Sequence, residues 1–168
     1  LGETKTPANY AASLLPMQEA KSKGFSQILW LDGIERKYIE ESGAMNIFFV
    51  IDNEIITPPL DGNVLDGIIR DCLIKIAKDW GMEITERKIT VDEIIYASRN
   101  KILEEAFGTG TAAVISPIGE IKHKNRSVII NDRKIGQLSQ KFYDEITGIQ
   151  YGEKEDRFEW CHILNGVI

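Results

Sequence analysis

Apolar positions along this chain change period from segment to segment, and the changes mark its elements. Ala11, Leu14, Leu15 and Ala20 fall at helical spacing within Ala8 to Ser22, with Pro16 as a kink point and Lys23-Gly24 as the stop. Gln27 to Asp32 is a compact apolar run that predicts a strand, closed by a turn at Asp32-Gly33. Asn46 to Asp52 predicts a second strand, Asp52-Asn53 its turn, and Glu54 to Thr57 the returning strand, which Pro58-Pro59 breaks. Ile69, Cys72, Leu73, Ile76 and Ala77 form the apolar side of a helix over Ile68 to Asp79, with Gly81 beyond its end. Glu83 to Lys88 alternates like a strand, and Val91 to Asn100 reads as a helix with Asp92 and Glu93 at its positive end. Phe107 to Thr111 predicts a glycine-rich turn and Ala112 to Ser116 a buried strand. Ile121 to Ile130 predicts a hairpin and Gly136 to Thr147 a last helix. The tail from Tyr151 is polar, but Phe158 and Trp160 predict that it docks. Strands and helices alternate without a regular βαβ rhythm, which makes the fold α/β or α+β.

Composition narrows the function class. The 168 residues are 43% hydrophobic and 27% charged, ordinary for a globular chain with a real core. A net charge of -6 argues against nucleic acid or an anionic membrane as partner, and no apolar run approaches a membrane span. Cys72 and Cys161 lack CxxC spacing and read as reduced thiols of a cytoplasmic protein. His123 and His162 are isolated surface or packing residues, so no metal site is expected.

Four segments could carry chemistry. Lys5, in KTPANY, has an amine that becomes a nucleophile when its pKa is lowered, although alone it reads as a solvated lysine. A carboxylate of Ile39 to Asn46 (IEESGAMN), between two apolar runs, could pair with a protonated ring nitrogen, or the segment could be an ordinary acidic turn. Gly67, in LDGIIR, opens a helix whose free backbone N–H groups suit a phosphate. Gly108-Thr109-Gly110-Thr111 could bring backbone and hydroxyls against phosphate oxygens or could be a plain tight turn.

Taken in order, KTPANYAASL, QILWLDG, IEESGAMNIF, TPPLDGNVLDGIIR, the ER of TERKIT, EEAFGTGTAAVISP and EITGIQYG resemble the branched-chain amino-acid aminotransferases, fold-type IV pyridoxal-phosphate enzymes. The resemblance runs from Lys5 to about Trp160. It implies a D-amino-acid aminotransferase-like large domain, a pseudo-barrel of mixed strands with flanking helices. It also implies pyridoxal 5′-phosphate as cofactor. The reaction would be ping-pong Schiff-base transamination from leucine, isoleucine or valine to 2-oxoglutarate, giving glutamate, in a homodimer.

By the same resemblance Lys5 is the catalytic lysine that bonds to the cofactor aldehyde and then shuttles a proton. Tyr10 hydrogen-bonds the phenolic oxygen, and Glu41 pairs with the ring nitrogen. Gly67, Ile68 and Ile69 hold the phosphate at the helix start, and the Thr111 hydroxyl joins them. Ala44 lies beside the substrate, and the Thr111 and Ala112 amides bind its carboxylate.

The chain departs from the family at four points. It reads LDGIIR where the family has LPGITR or LPGVTR, so Ile69 lacks a hydroxyl worth roughly 0.5–1.5 kcal/mol as one hydrogen bond. Ala44 stands where some members have threonine. Ala113 and Ser116 stand where mammalian members carry a redox-active CxxC. Finally, Lys5 lies almost at the start of the sequence. Residues 1–168 are therefore expected to be the cofactor-binding large domain without the family's N-terminal small domain, a fragment of low activity that binds cofactor weakly by itself. The other readings are a D-amino-acid aminotransferase or aminodeoxychorismate lyase of the same fold, and a non-catalytic dimerising module. A nucleotide site at GTGT is disfavoured, because neither GxGxxG nor GxxxxGK[ST] is present.

Overall fold

The computed structural model describes residues 2–162. The strands are β1 (Leu29–Leu31), β2 (Ile39–Ser42), β3 (Met45–Ile51), β4 (Glu54–Thr57), β5 (Ile84–Glu86), β6 (Leu103–Gly110), β7 (Val114–Pro117), β8 (Glu120–His123) and β9 (Arg126–Ile129). The helices are α1 (Pro7–Ala11), α2 (Leu14–Ser22), α3 (Ile68–Asp79), α4 (Val91–Arg99) and α5 (Gln137–Gln150). Strands β1 to β7 form one mixed sheet, and β8–β9 is a separate hairpin. Among the described residues no helix is long and apolar enough to cross a membrane.

The continuous apolar run of β3 demands cover on both faces, and it has it. Ile47, Phe49 and Ile51 point into one core, with Ile89, Ile94 and Val128. Phe48 and Val50 point into the other, with Leu73, Ile76, Phe107 and Phe142 from α3, β6 and α5. Phe48 and Phe107 stack across the β3–β6 pair with ring centroids 5.5 Å apart.

Both edges of β3 are engaged as well. One edge pairs along its length with β6, from Asn46↔Thr109 to Ile51↔Leu103. The other is shared end to end by β2, through Glu41↔Asn46, and β4, through Phe49↔Ile56. The sheet therefore forks between β2 and β4. At the fork the Thr57 hydroxyl donates to the Ile47 carbonyl at 2.8 Å, and both residues are fully buried. From β4 the chain crosses through α3 and returns in β5, the one parallel pair.

Several expected elements are present with small shifts: β4 and α3 as read, the hairpin turn at Asp52 and Asn53 with both φ positive, and the β8–β9 hairpin. The tail docks as expected. Phe158 and Trp160 stack at 4.4 Å and pack on the second core, while Lys154 and Arg157 each pair with Glu145 at 2.8 Å.

Three expectations need correction. The helix over Ala8 to Ser22 is two pieces, α1 and α2, divided at Ala12 and Ser13. The division falls four residues before Pro16, where the proline ring would clash with the preceding turn's carbonyl. The acidic segment at Ile39–Ser42 is the strand β2, because Ile39 is buried and Glu41 pairs with Asn46. The glycines of Phe107 to Thr111 lie mostly in β6, and the turn begins at Thr111. Met45 explains them: a Cβ at Gly108 would lie 2.9 Å from Met45 Cε.

Helix α5 starts without a side-chain cap of its own. Glu105 of β6 supplies one, accepting from Leu138 N–H at 2.8 Å and Ser139 N–H at 2.9 Å. Glu105→Ala is expected to destabilise the chain by about 1–3 kcal/mol. Thr57→Val, which strands the buried Ile47 carbonyl, should cost a similar ~1–3 kcal/mol. Urea unfolding midpoints check both; unchanged midpoints would remove these two contacts from the account.

Candidate functional site

The sheet brings separate turns to one end of β3. The β2–β3 turn is Gly43-Ala44, where Gly43 takes a φ of 61°, as the first central position of a two-residue hairpin turn requires. Its backbone is held from both sides. Gly43 N–H donates to Ile28 O at 2.7 Å, and Trp30 Nε1 donates to Gly43 O at 3.0 Å. A side chain on Gly43 would also collide with Gln27 Oε1 at 2.1 Å. The turn of Thr111 and Ala112 follows β6 at the same end, because Thr109 lies opposite Asn46.

Beside these turns is a cavity of about 190 Å³ lined by Tyr10, Glu41, Ala44, Trp30, Met17 and Leu65 among others. Tyr10 comes from α1, Glu41 from β2 and Ala44 from the turn. Lys5 is exposed; its neighbour Thr4 lines the cavity, whereas Lys5 does not. A larger groove of about 740 Å³ is lined by Ser42, Met45 and residues of β7 and β8, and includes none of the expected site residues. Ser42 and Met45 alternate with Glu41 and Asn46, so that groove lies against the opposite face of the sheet. The smaller cavity brings together Tyr10, Glu41 and Ala44, whereas Lys5, Gly67, Ile68, Ile69, Thr111 and Ala112 do not line it.

Glu41 is half-buried and has no ion-pair partner among the described residues. Burial pushes its carboxyl above the ordinary value; the Leu65 N–H, donating to Oε1 at 3.1 Å, opposes that rise, and the nearby Glu40 adds to it. Asn46 Nδ2 reaches the same Oε1 at 3.4 Å and donates to Leu65 O at 2.7 Å. The loop leading into α3 is thereby tied to the acid.

Helix α3 begins at Ile68 after Gly67 and has no side-chain cap, which leaves its first amides free for an anion. A Cβ on Gly67 would lie 2.1 Å from Asn46 Oδ1, so only glycine fits there. Ile68 is exposed, while Ile69 turns its side chain into the second core. The hydroxyl missing at Ile69 has been exchanged for core packing.

Two buried residues, Asn46 and Arg70, were not singled out from the sequence, and Thr109 was named only within the GTGT segment. Asn46 was legible only as a lone polar position heading the apolar run NIFFVI. Thr109 is 1% exposed, and its hydroxyl has no hydrogen-bond partner among the described residues. Directly across from Asn46, it faces the α3 side. Arg70 is 2% exposed and fastens the first turn of α3, donating to Pro58 O at 2.9 Å and Glu86 at 2.7 Å. Uncapped amides, a close-approach glycine and an unsatisfied buried hydroxyl together fit a phosphate. A half-buried acid and a tyrosine across one cavity fit a flat heteroaromatic ring.

A family model described as amino-transferase class IV matches residues 2–121. The branched-chain-amino-acid aminotransferase 2 of Bacillus subtilis (strain 168) is 56% identical over 159 residues, covering 95% of this chain and 44% of that protein. Branched-chain-amino-acid transaminase 1 of the same strain is 48% identical over 160 residues, 95% of this chain and 45% of that one. The crystal structure of Escherichia coli branched-chain amino acid aminotransferase superimposes with a TM-score of 0.83 at 30% identity, covering 99% of this chain and 52% of that chain. The branched-chain aminotransferase of the thermophilic archaeon Thermoproteus uzoniensis, solved with norvaline, gives 0.79 at 31% identity, covering 95% and 48%. The chain thus spans about half the length of the relatives it matches.

Because burial raises Glu41, the folded chain holds that proton more tightly than the unfolded chain does. Its contribution to stability is complete below the unfolded value and is lost as pH rises through the folded one. Glu41→Gln, which cannot ionise, should therefore gain on the wild type as pH goes from about 4 to about 7. Denaturation across that range checks it; a gap that does not change with pH would contradict the burial of this acid.

Proposed function

The chain belongs to the class IV aminotransferases, and on that footing we propose that residues 1–168 are the cofactor-binding large domain of a branched-chain amino-acid aminotransferase. It would bind pyridoxal 5′-phosphate and pass the amino group of leucine, isoleucine or valine to 2-oxoglutarate. The carrying observation is the convergence of Tyr10, Glu41 and Ala44 on one cavity, with the start of α3 tied to Glu41 through Leu65. The relatives' names support the substrate class. Family membership supports a homodimer, and the free Cys72 and Cys161 suit the reducing cytoplasm.

When bound, the cofactor's ring supplies an electron sink for the pair released at the substrate α-carbon. Everything else falls to the chain. Glu41 holds a proton on the ring nitrogen, which strengthens the sink. Its partly desolvated carboxylate gains more from that cation than an exposed one would. Tyr10 donates to the phenolic oxygen. The Gly67-Ile68-Ile69 segment presents amides to the phosphate, with the Thr111 hydroxyl beside them. The Thr111 and Ala112 amides take the substrate carboxylate, and Ala44 leaves room for an aliphatic side chain. Lys5, exposed and next to the cavity-lining Thr4, would supply the amine that holds the cofactor aldehyde, with loss of water, and once released would move a proton at the substrate α-carbon.

Loading the chain with saturating pyridoxal phosphate, reducing with borohydride and mapping the peptides tests this. Lys5 should carry the label, and Lys5→Ala should lose it. Leucine added before reduction should discharge the visible band, and D-alanine should leave it intact. Label spread evenly over the lysines, or equal discharge by D-alanine, would overturn the assignment.

A further inference from the structure

We infer that Asn46 is a positioning residue that locks Glu41 and the start of α3 into one unit, fixing the distance between the acid and the helix amides. The inference rests on the cofactor reading of those two parts. A ring with a phosphate arm is rigid enough that its nitrogen and its anion must be met at a set separation. Glu41 comes from β2 and the amides from α3, with β3, β4 and the loop of residues 58–67 between them. Backbone pairing alone does not connect these ends.

The Asn46 side chain does. It is 5% exposed, and its one amide group donates to Leu65 O at 2.7 Å and to Glu41 Oε1 at 3.4 Å. Leu65 N–H returns a bond to the same Oε1 at 3.1 Å. Three polar groups thus close a ring of hydrogen bonds around one carboxylate oxygen. Asn46 Oδ1 meanwhile occupies the space a Gly67 side chain would need, which seats the helix start against β3. Leucine has nearly the shape of asparagine but no donor. Aspartate has its shape and offers only acceptors when ionised. Neither can make this connection.

The test compares wild type, Asn46→Leu, Asn46→Asp and the control Thr57→Val, a buried hydrogen bond of the sheet outside the cavity. Two quantities are read: amide hydrogen exchange at Leu65 without cofactor, and the ratio of dissociation constants for pyridoxal and pyridoxal phosphate. Both Asn46 variants should speed Leu65 exchange and shrink the phosphate preference by about tenfold, the worth of one hydrogen bond to a charged group. Thr57→Val should lower overall stability and leave the preference unchanged. Either Asn46 variant retaining the wild-type preference overturns the inference, as does an equal loss in Thr57→Val. If wild-type affinity for pyridoxal phosphate is unchanged by Lys5→Ala and by Glu41→Ala, the cofactor reading itself falls. If it depends on those two residues and not on Asn46, only the positioning role does.

Discussion

Complete use of β3 is the constraint on which the remaining structure hangs. β6 runs along one of its edges, β2 and β4 hold the two ends of the other, and both faces are covered, so the strand can neither slide nor turn over. A register slip of one residue would send Phe48 and Val50 into the wrong core and bring Ile47 and Phe49 opposite α3. Each such side chain contributes roughly 1.5–3 kcal/mol by burial, so the slip is excluded by many times the thermal energy. The cavity end inherits this rigidity, because Asn46 is both the first buried residue of β3 and a wall of the loop before α3.

The site places a carboxylate in surroundings that disfavour its charge and then compensates locally. Two N–H donors on one oxygen of Glu41 offset part of the desolvation, and no basic side chain is paired with it among the described residues. A cation arriving from outside thus meets an acid whose attraction is not already satisfied by a resident lysine or arginine. An acid left this way lowers the stability of the free chain once it ionises. Contrast Glu145 in the tail, where Lys154 and then Arg157 hold the carboxyl below its ordinary value. The charge of that acid is matched within the fold.

Much of the fold was legible because its patterns are local. The apolar face of Ile68 to Asp79 and the Asp52-Asn53 turn each contain their own instructions. Two readings failed for reasons that are not local. Gly108 and Gly110 looked like a turn, and only pairing with β3 and β7 makes them strand residues, with Met45 crowding the space a Gly108 side chain would need. Glu40 and Glu41 looked like an acidic turn, since β2 is too short to show alternation. The cavity residues Tyr10, Glu41 and Ala44 were found through ordered motifs, not through periodicity. Asn46 was passed over, because a polar residue in an apolar strand declares its partner only once the opposite strand and the loop above it are in place.

The fork at Thr57 has a consequence for the order in which the molecule assembles. β2, β3 and β4 are successive hairpin arms that close on the scale of about 1–10 μs, and Thr57 completes their shared edge without help from any distant segment. β6 closes a longer loop onto β3, since α3, β5 and α4 lie between it and β4, and loop closure grows costlier with the chain enclosed. The acid half of the cavity is therefore nucleated early from neighbouring sequence. The Thr111-Ala112 turn arrives later, with β6, whose pairing sets Thr109 opposite Asn46.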